Sequence, residues 1–159
     1  MKSIRRRRLE KKTDYKSRFA LLKSEAPRLT VRKSNRYITA QIVQTKIAQD
    51  SVIITSNSKD LLSQGWPKDK SGSLKSLPAA YCLGILIGKA SIKKGIKEVI
   101  LDFGMHRNIH KSRIYAVLKG AIDSGLTVSH NPEILPSIEE ITKNKDLTTI
   151  VEKIKGDKK

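Results

Sequence analysis

Acidic residues are scarce in this chain: 15 Asp and Glu stand against 33 Lys and Arg, a formal net charge of +18 over 159 residues. A surface so one-signed repels itself unless a polyanion neutralises it, which points to a polyanionic partner. Cysteine is nearly absent. With Cys82 alone, an intrachain disulfide and a cysteine zinc site are both excluded, and the structure must come from packing. Aromatic residues make up only 4%, so the core is expected to be aliphatic, filled from Ile, Leu, Val and Ala runs. A long apolar run is missing as well: the longest uncharged stretch, "SLPAAYCLGILIG" at 76–88, is closed by Lys89. That falls short of the roughly 20 residues a membrane span requires and reads as a core helix. The basic start leads into more charge instead of an apolar segment, so no secretory signal is expected and the protein is expected to stay inside its cell. No G-x-G-x-x-G, P-loop or G-x-S-x-G motif occurs.

What the chain does have is basic charge concentrated at one end. Residues 1–36 hold 14 Lys or Arg and 3 acids, including the tetrad Arg5, Arg6, Arg7 and Arg8. The length suits one domain with tails: a basic N-terminal arm with a short helix over 1–26, an α/β domain over 27–130 and a C-terminal extension over 131–159. Residues 1–12 carry too little apolar surface to bury and are expected to order only on binding. Tyr15, Phe19 and Leu22, spaced i, i+4, i+7 behind Thr13 as N-cap, predict a short amphipathic helix docked on the domain and stopped by Pro27.

From Pro27 the apolar period becomes two. Leu29 and Val31 share one face, Ile38, Ala40 and Ile42 another, and Ser34-Asn35 supplies the turn of a hairpin. A third run at 51–56, after a polar link at Gln49-Asp50, completes an antiparallel meander. "SKDLLSQGWP" predicts a short helix ended by Gly65, and "KDKSGSLKS" a mobile polar loop. Pro78 opens a helix with Ala79, Leu83, Leu86 and Ala90 on one side; Gly84 and Gly88, one turn apart, are expected to let it lie close on the sheet. "KEVILDFG" predicts a strand buried on both faces and parallel to a meander strand through a crossover. A second helix follows from Ser112 as cap to Gly125 as stop, with Ile114, Val117 and Ala121 inward. The fold class expected is mixed α/β (α+β): a sheet made of an antiparallel meander plus a parallel strand, flanked by helices. After the prolines of the tail, the lysine-bearing 143–159 reads as a weak helix.

Candidates for catalysis are thin. Asp102 ends the predicted inner strand, but no second acid stands near it to hold Mg²⁺, and tying down a loop or pairing with an arginine is the expected role. His106 and His110 have zinc-helix spacing, yet Arg107 stands where the glutamate of H-E-x-x-H belongs. No catalytic residue, metal or other cofactor is expected. The loop "GMHRNIHKSR" at 104–113 is the stronger candidate: it joins strand to helix and presents Arg107, Lys111 and Arg113 beside free backbone N–H groups, a setting that suits an anion. The arginine tetrad lacks the apolar face of a membrane-surface helix, so no membrane partner is expected. Basic character runs on through Arg18, Arg28, Arg32, Lys33 and Arg36, which favours nucleic acid; Tyr15, Phe19 and Tyr37 are candidates for stacking on bases. A metal-dependent nuclease and a nonspecific DNA-architectural protein are the rivals.

Five blocks, "KTDYKSRFALLKSEAPRLTVRKSNRYITAQIV", "LPAAYCLGILIGKA", "GIKEVILDFGMHR", "AVLKGAIDSGL" and "HNPEILPS", together resemble the archaeal branch of the L-eighteen family of large-subunit ribosomal proteins, which bind 5S rRNA. The match runs in order over most of residues 5–140. The resemblance implies a non-catalytic, cytoplasmic protein of the large subunit, contacting 5S rRNA, 23S rRNA and a neighbouring protein of the L-five family in the central protuberance, with no small-molecule substrate. Carried over block by block, the implied rRNA contacts are Arg5, Arg6, Arg7, Arg8, Lys12, Asp14, Tyr15, Arg18, Arg28, Arg32, Lys33, Ser34, Asn35 and Arg36, followed by Arg107, Lys111 and Arg113. Related chains usually read lysine, glycine, serine, arginine where this one has His110, Lys111, Ser112 and Arg113. With lysine in glycine's place, the family's turn geometry does not carry over on residue type.

Overall fold

A computed structural model of the chain describes residues 9–10, 13–47, 49–142 and the three positions 151, 154 and 156. The tetrad Arg5 to Arg8 and Lys12 lie outside the described residues, as does most of 143–159.

A short helix α1 (Tyr15–Leu22) leads into the strands β1 (Arg28–Lys33), β2 (Ile38–Lys46) and β3 (Gln49–Asn57). Two 3₁₀ segments, Ser58–Leu62 and Lys68–Ser73, precede the long helix α2 (Leu77–Lys93). Then come β4 (Glu98–Asp102), α3 (Arg113–Asp123), β5 (Thr127–Val128), a 3₁₀ turn at Pro132–Ile134 and a one-turn helix α4 (Ile138–Ile141). The sheet has the order β3-β2-β1-β4-β5. The β1–β2 and β2–β3 pairs are antiparallel, whereas β4 pairs parallel to β1 and β5 parallel to β4. The mixed sheet of a meander plus a parallel strand is therefore as expected. The two-residue β5 was too short to show a period of two.

Packing corrects several details. Asp14, not Thr13, caps α1: its carboxylate accepts from the N–H groups of Lys16 and Ser17. No residue of that helix is buried and Phe19 is 65% exposed, so the helix is not seated by an apolar face. The polar link expected at Gln49-Asp50 belongs to β3, and the chain reverses at Ile47. β4 is only half buried, in the pattern expected of a strand near the sheet's edge.

Helix α2 explains its own apolarity by serving two cores. Ala80, Leu83 and Ile87 join the sheet residues Leu29, Val31, Ala40 and Ile42 and, from α3, Val117 and Ala121. Ala79, Tyr81, Cys82 and Ile85 turn the other way, into a second cluster with Leu61, Trp66, Leu74, Ile141, Val151 and Ile154. A helix hydrophobic all round is a buried one, and here the two apolar sides have different partners. The expected mobile loop at 68–76 is folded: the Trp66 indole N–H donates to the Lys70 carbonyl, and Leu74 is buried. Two residues of the C-terminal segment, Val151 and Ile154, complete this cluster, and Lys89 Nζ donates to the Ile154 carbonyl at 2.6 Å.

Gly84 and Gly88 bring α2 close to α3, not to the sheet. A Cβ at Gly84 would lie 2.1 Å from the Val117 carbonyl oxygen, and one at Gly120 would lie 2.1 Å from that of Tyr81. The two helices thus meet backbone to backbone.

Candidate nucleic-acid interface

β1 ends in the exposed Arg32 and Lys33 and continues into the hairpin loop 34–37. Ser34 closes that loop: its N–H and hydroxyl both donate to the Tyr37 carbonyl, while the Tyr37 N–H donates back to Ser34 Oγ. Asn35 and Arg36 stand exposed at the tip, and Lys75 reaches it by donating to the Asn35 carbonyl at 3.1 Å. Lys75 escaped the sequence reading because 40 residues separate it from Asn35.

The loop 104–113 comes to the same end of the sheet, because β4 lies parallel to β1 and both strands finish there. The Lys33 N–H donates to His106 Nε2 at 3.1 Å, joining the two basic segments. From within, Tyr115 OH donates to Asn108 Oδ1 at 2.6 Å and the Lys111 N–H donates to the Ile134 carbonyl at 2.9 Å. Lys111 adopts φ 56°, the left-handed region that glycine enters freely, so lysine keeps a glycine-like turn here. Its ammonium pairs with Glu140 at 2.8 Å. Lys33, His106, Arg107, Lys111 and Arg113 line an open groove of about 280 Å³ together with Leu77, Ile109 and Ile114. Ser112 takes the N-cap position of α3, yet its side chain makes no capping bond and its buried Oγ has no hydrogen-bond partner among the described residues. The first N–H groups of α3, beside the groove, are therefore not bonded by the N-cap side chain.

His106 is partly buried, and that burial, followed by the nearby cations Arg32 and Lys33, lowers its pKa below the ordinary 6.5. It accepts the Lys33 N–H as a neutral ring. Below pH 6.5 the unfolded chain takes up the proton first, so stability falls as pH drops through the folded-state value. His106→Gln keeps an acceptor and removes the proton site. Its urea midpoint should change less than the parent's between about pH 7.5 and about pH 5.5; parallel midpoints would show that the ring does not titrate as argued.

The arm helix is tied to the sheet by charge. Arg18 pairs with Asp50 at 2.7 Å, and Asp50 also takes Arg28 at 2.9 Å and the Thr45 hydroxyl at 2.6 Å. Burial alone would raise the Asp50 pKa, but the Thr45 and Arg18 hydrogen bonds and the charges of Arg28 and Arg18 outweigh it and hold the carboxyl below its usual range. Arg28 continues to Asp102 at 3.0 Å, and Asp102 to Arg32 at 3.3 Å. The result is a chain of alternating charges from α1 across the sheet to the loop.

This arrangement sorts the candidate contacts. Arg32, Lys33, Ser34, Asn35, Arg36, Arg107, Lys111 and Arg113 gather at one end of the sheet, and Arg18 shares with Arg32 a small cavity of about 130 Å³ beside Met105. Arg28 stands apart from them: it is 3% exposed, and its guanidinium donates to Asp102, Asp50 and Thr45. Asp14 is occupied as a helix cap. Of the stacking candidates, Tyr37 packs against the second core and Tyr15 is partly buried, whereas Phe19 is open, with Lys23 Nζ 5.1 Å from its ring centre. Asp102 both pairs with arginines and pins the loop by accepting the Gly104 N–H at 2.9 Å.

A sheet end built of cations, with its inner carboxylates committed to arginine, has the charge and exposure that suit a polyanion. The sequence profile described as "Ribosomal large subunit proteins 60S L5, and 50S L18" matches residues 1–98 and 93–131, and the chain belongs to that family. It is 45% identical over 149 residues to the large ribosomal subunit protein uL18 of Korarchaeum cryptofilum, covering 94% of this chain and 74% of that one. It is 42% identical to the uL18 proteins of Aeropyrum pernix (86% and 62% covered) and Halobacterium salinarum (82% and 69% covered). The chain thus spans between 62% and 74% of the length of these relatives. Membership makes it an archaeal-type structural protein of the large subunit of the cytoplasmic ribosome and not an enzyme.

Proposed function

We propose that this protein binds 5S rRNA and helps to anchor it to 23S rRNA in the central protuberance, beside a neighbouring ribosomal protein of the L-five family. The observation that carries the reading is the convergence of the β1–β2 loop and the loop 104–113 on one cationic sheet end. Lys33, Arg36, Arg107 and Arg113 there are exposed side chains on a scaffold fixed by internal hydrogen bonds. The uncapped start of α3 adds N–H donors suited to phosphate. The basic arm, with Arg5 to Arg8 and Lys12, supplies further phosphate contacts, and Arg18 ties the helix α1 that follows it to the sheet through Asp50.

A salt titration tests this, using 5S rRNA, a scrambled RNA of the same length and a DNA duplex. Folded 5S rRNA should bind tightest. Replacing Arg107 and Arg113 together with alanine should flatten log K against log salt by about 0.7 to 0.9 for each phosphate that is no longer neutralised. Equal affinity for all three nucleic acids would reduce the protein to a nonspecific polyanion binder and sink the 5S reading.

A further inference from the structure

Resting on the reading of this sheet end as an RNA surface, we propose that Asp102 is a positioning residue that clamps Arg32 so that one edge of its guanidinium is a preset phosphate fork. Asp102 is 8% exposed, and its carboxylate accepts from Arg28, Arg32 and the Gly104 N–H, so its part is to hold these groups and not to meet the phosphate. Arg32 has five N–H donors. Nη1 spends two of them, on the Val31 carbonyl at 3.0 Å and the Asp102 carbonyl at 2.9 Å, and Nη2 spends one on Asp102 Oδ1 at 3.3 Å. What is left is Nε–H and one Nη2–H, the side-on pair of the guanidinium, on a side chain that is 47% exposed. That pair is the geometry that grips a phosphate through two parallel bonds.

Gly104 completes the clamp. A Cβ built there would lie 3.0 Å from Arg32 Cζ and 3.1 Å from both terminal nitrogens, so the guanidinium lies flat on the glycine backbone. The φ of Gly104 is +61°, and Asp102 fixes it through the Gly104 N–H. One carboxylate thus sets both the arginine and the surface it rests on. An arginine held this way has already given up its rotamer freedom before RNA arrives, which lowers the cost of binding.

The test is a double-mutant cycle read as RNA affinity and salt slope, at a temperature where circular dichroism shows every variant folded. Arg32→Ala should weaken binding about tenfold and flatten the salt slope by about 0.7 to 0.9, the change expected when one phosphate goes without its cation. Asp102→Asn should weaken it by a similar factor in the parent and have no further effect in the Arg32→Ala background. Additive losses would overturn the proposal. If Asp102→Asn does not fold, Gly104→Ala serves in the same cycle, because it displaces the guanidinium while leaving the carboxylate in place. Because a phosphate fork reads no sequence, the cycle is also run on the scrambled RNA. Coupling there without any preference for 5S rRNA would uphold the clamp while removing the 5S assignment.

Discussion

A Gly84→Ala protein will unfold at a much lower urea concentration than the parent, losing at least the upper end of the about 1–3 kcal/mol that overpacking a core commonly costs. The added methyl would lie 2.1 Å from the Val117 carbonyl oxygen and 2.9 Å from its carbon. Both are backbone atoms, so no rotamer change relieves the clash, and α2 and α3 must move apart. The helices share the larger core with the sheet, which makes separation costly throughout the domain. Gly95→Ala is the control: nothing lies within 4 Å of its Cβ, and only its φ of +78° resists the change. That cost is about 1–2 kcal/mol. If the two variants melted alike, close approach of the helices would not be what Gly84 provides.

Arg28→Ala is the second large effect, an expected loss of about 3–5 kcal/mol, because breaking a buried ion pair leaves charge without compensation. Against a total stability of about 5–15 kcal/mol for a domain, that is a substantial fraction. Arg28 binds Asp102, Asp50 and Thr45 at 3.0, 2.9 and 2.9 Å, so its removal loosens β1 from both β4 and the β2–β3 pair. Removing Asp102 as well, in Arg28→Ala/Asp102→Ala, should cost less than the sum of the single changes, since the second deletion removes a carboxylate already short of one partner. Strict additivity in urea melts would show that the two side chains do not act as a pair.

The sheet was legible in the sequence because a period of two shows directly in Leu29 and Val31 and in Ile38, Ala40 and Ile42, and turn residues separate the runs. The site was legible in its parts. Both basic segments stand out by charge, but their meeting depends on β4 lying beside β1, which no local pattern specifies. The burial of Arg28 was hidden for a related reason. In a basic stretch an arginine on the face opposite Leu29 reads as exposed, and only the arrival of Asp50 and Asp102 on that face turns it inward. The same limit hid the second core: Trp66, Ile141 and Val151 each look unremarkable, and α2 gathers them from distant parts of the chain. For Gly84 and Gly88 the spacing announced a close approach but not the surface approached.

The single thiol has a practical meaning. Cys82 sits fully buried in the second core, where burial pushes its pKa up to about 12, so a maleimide or iodoacetamide reagent should pass it by while the protein is folded. A cysteine introduced at the exposed hairpin tip would then be the sole reactive handle on an otherwise native chain. A fluorophore placed there could follow, in real time and at one known position, the moment the protein meets its RNA.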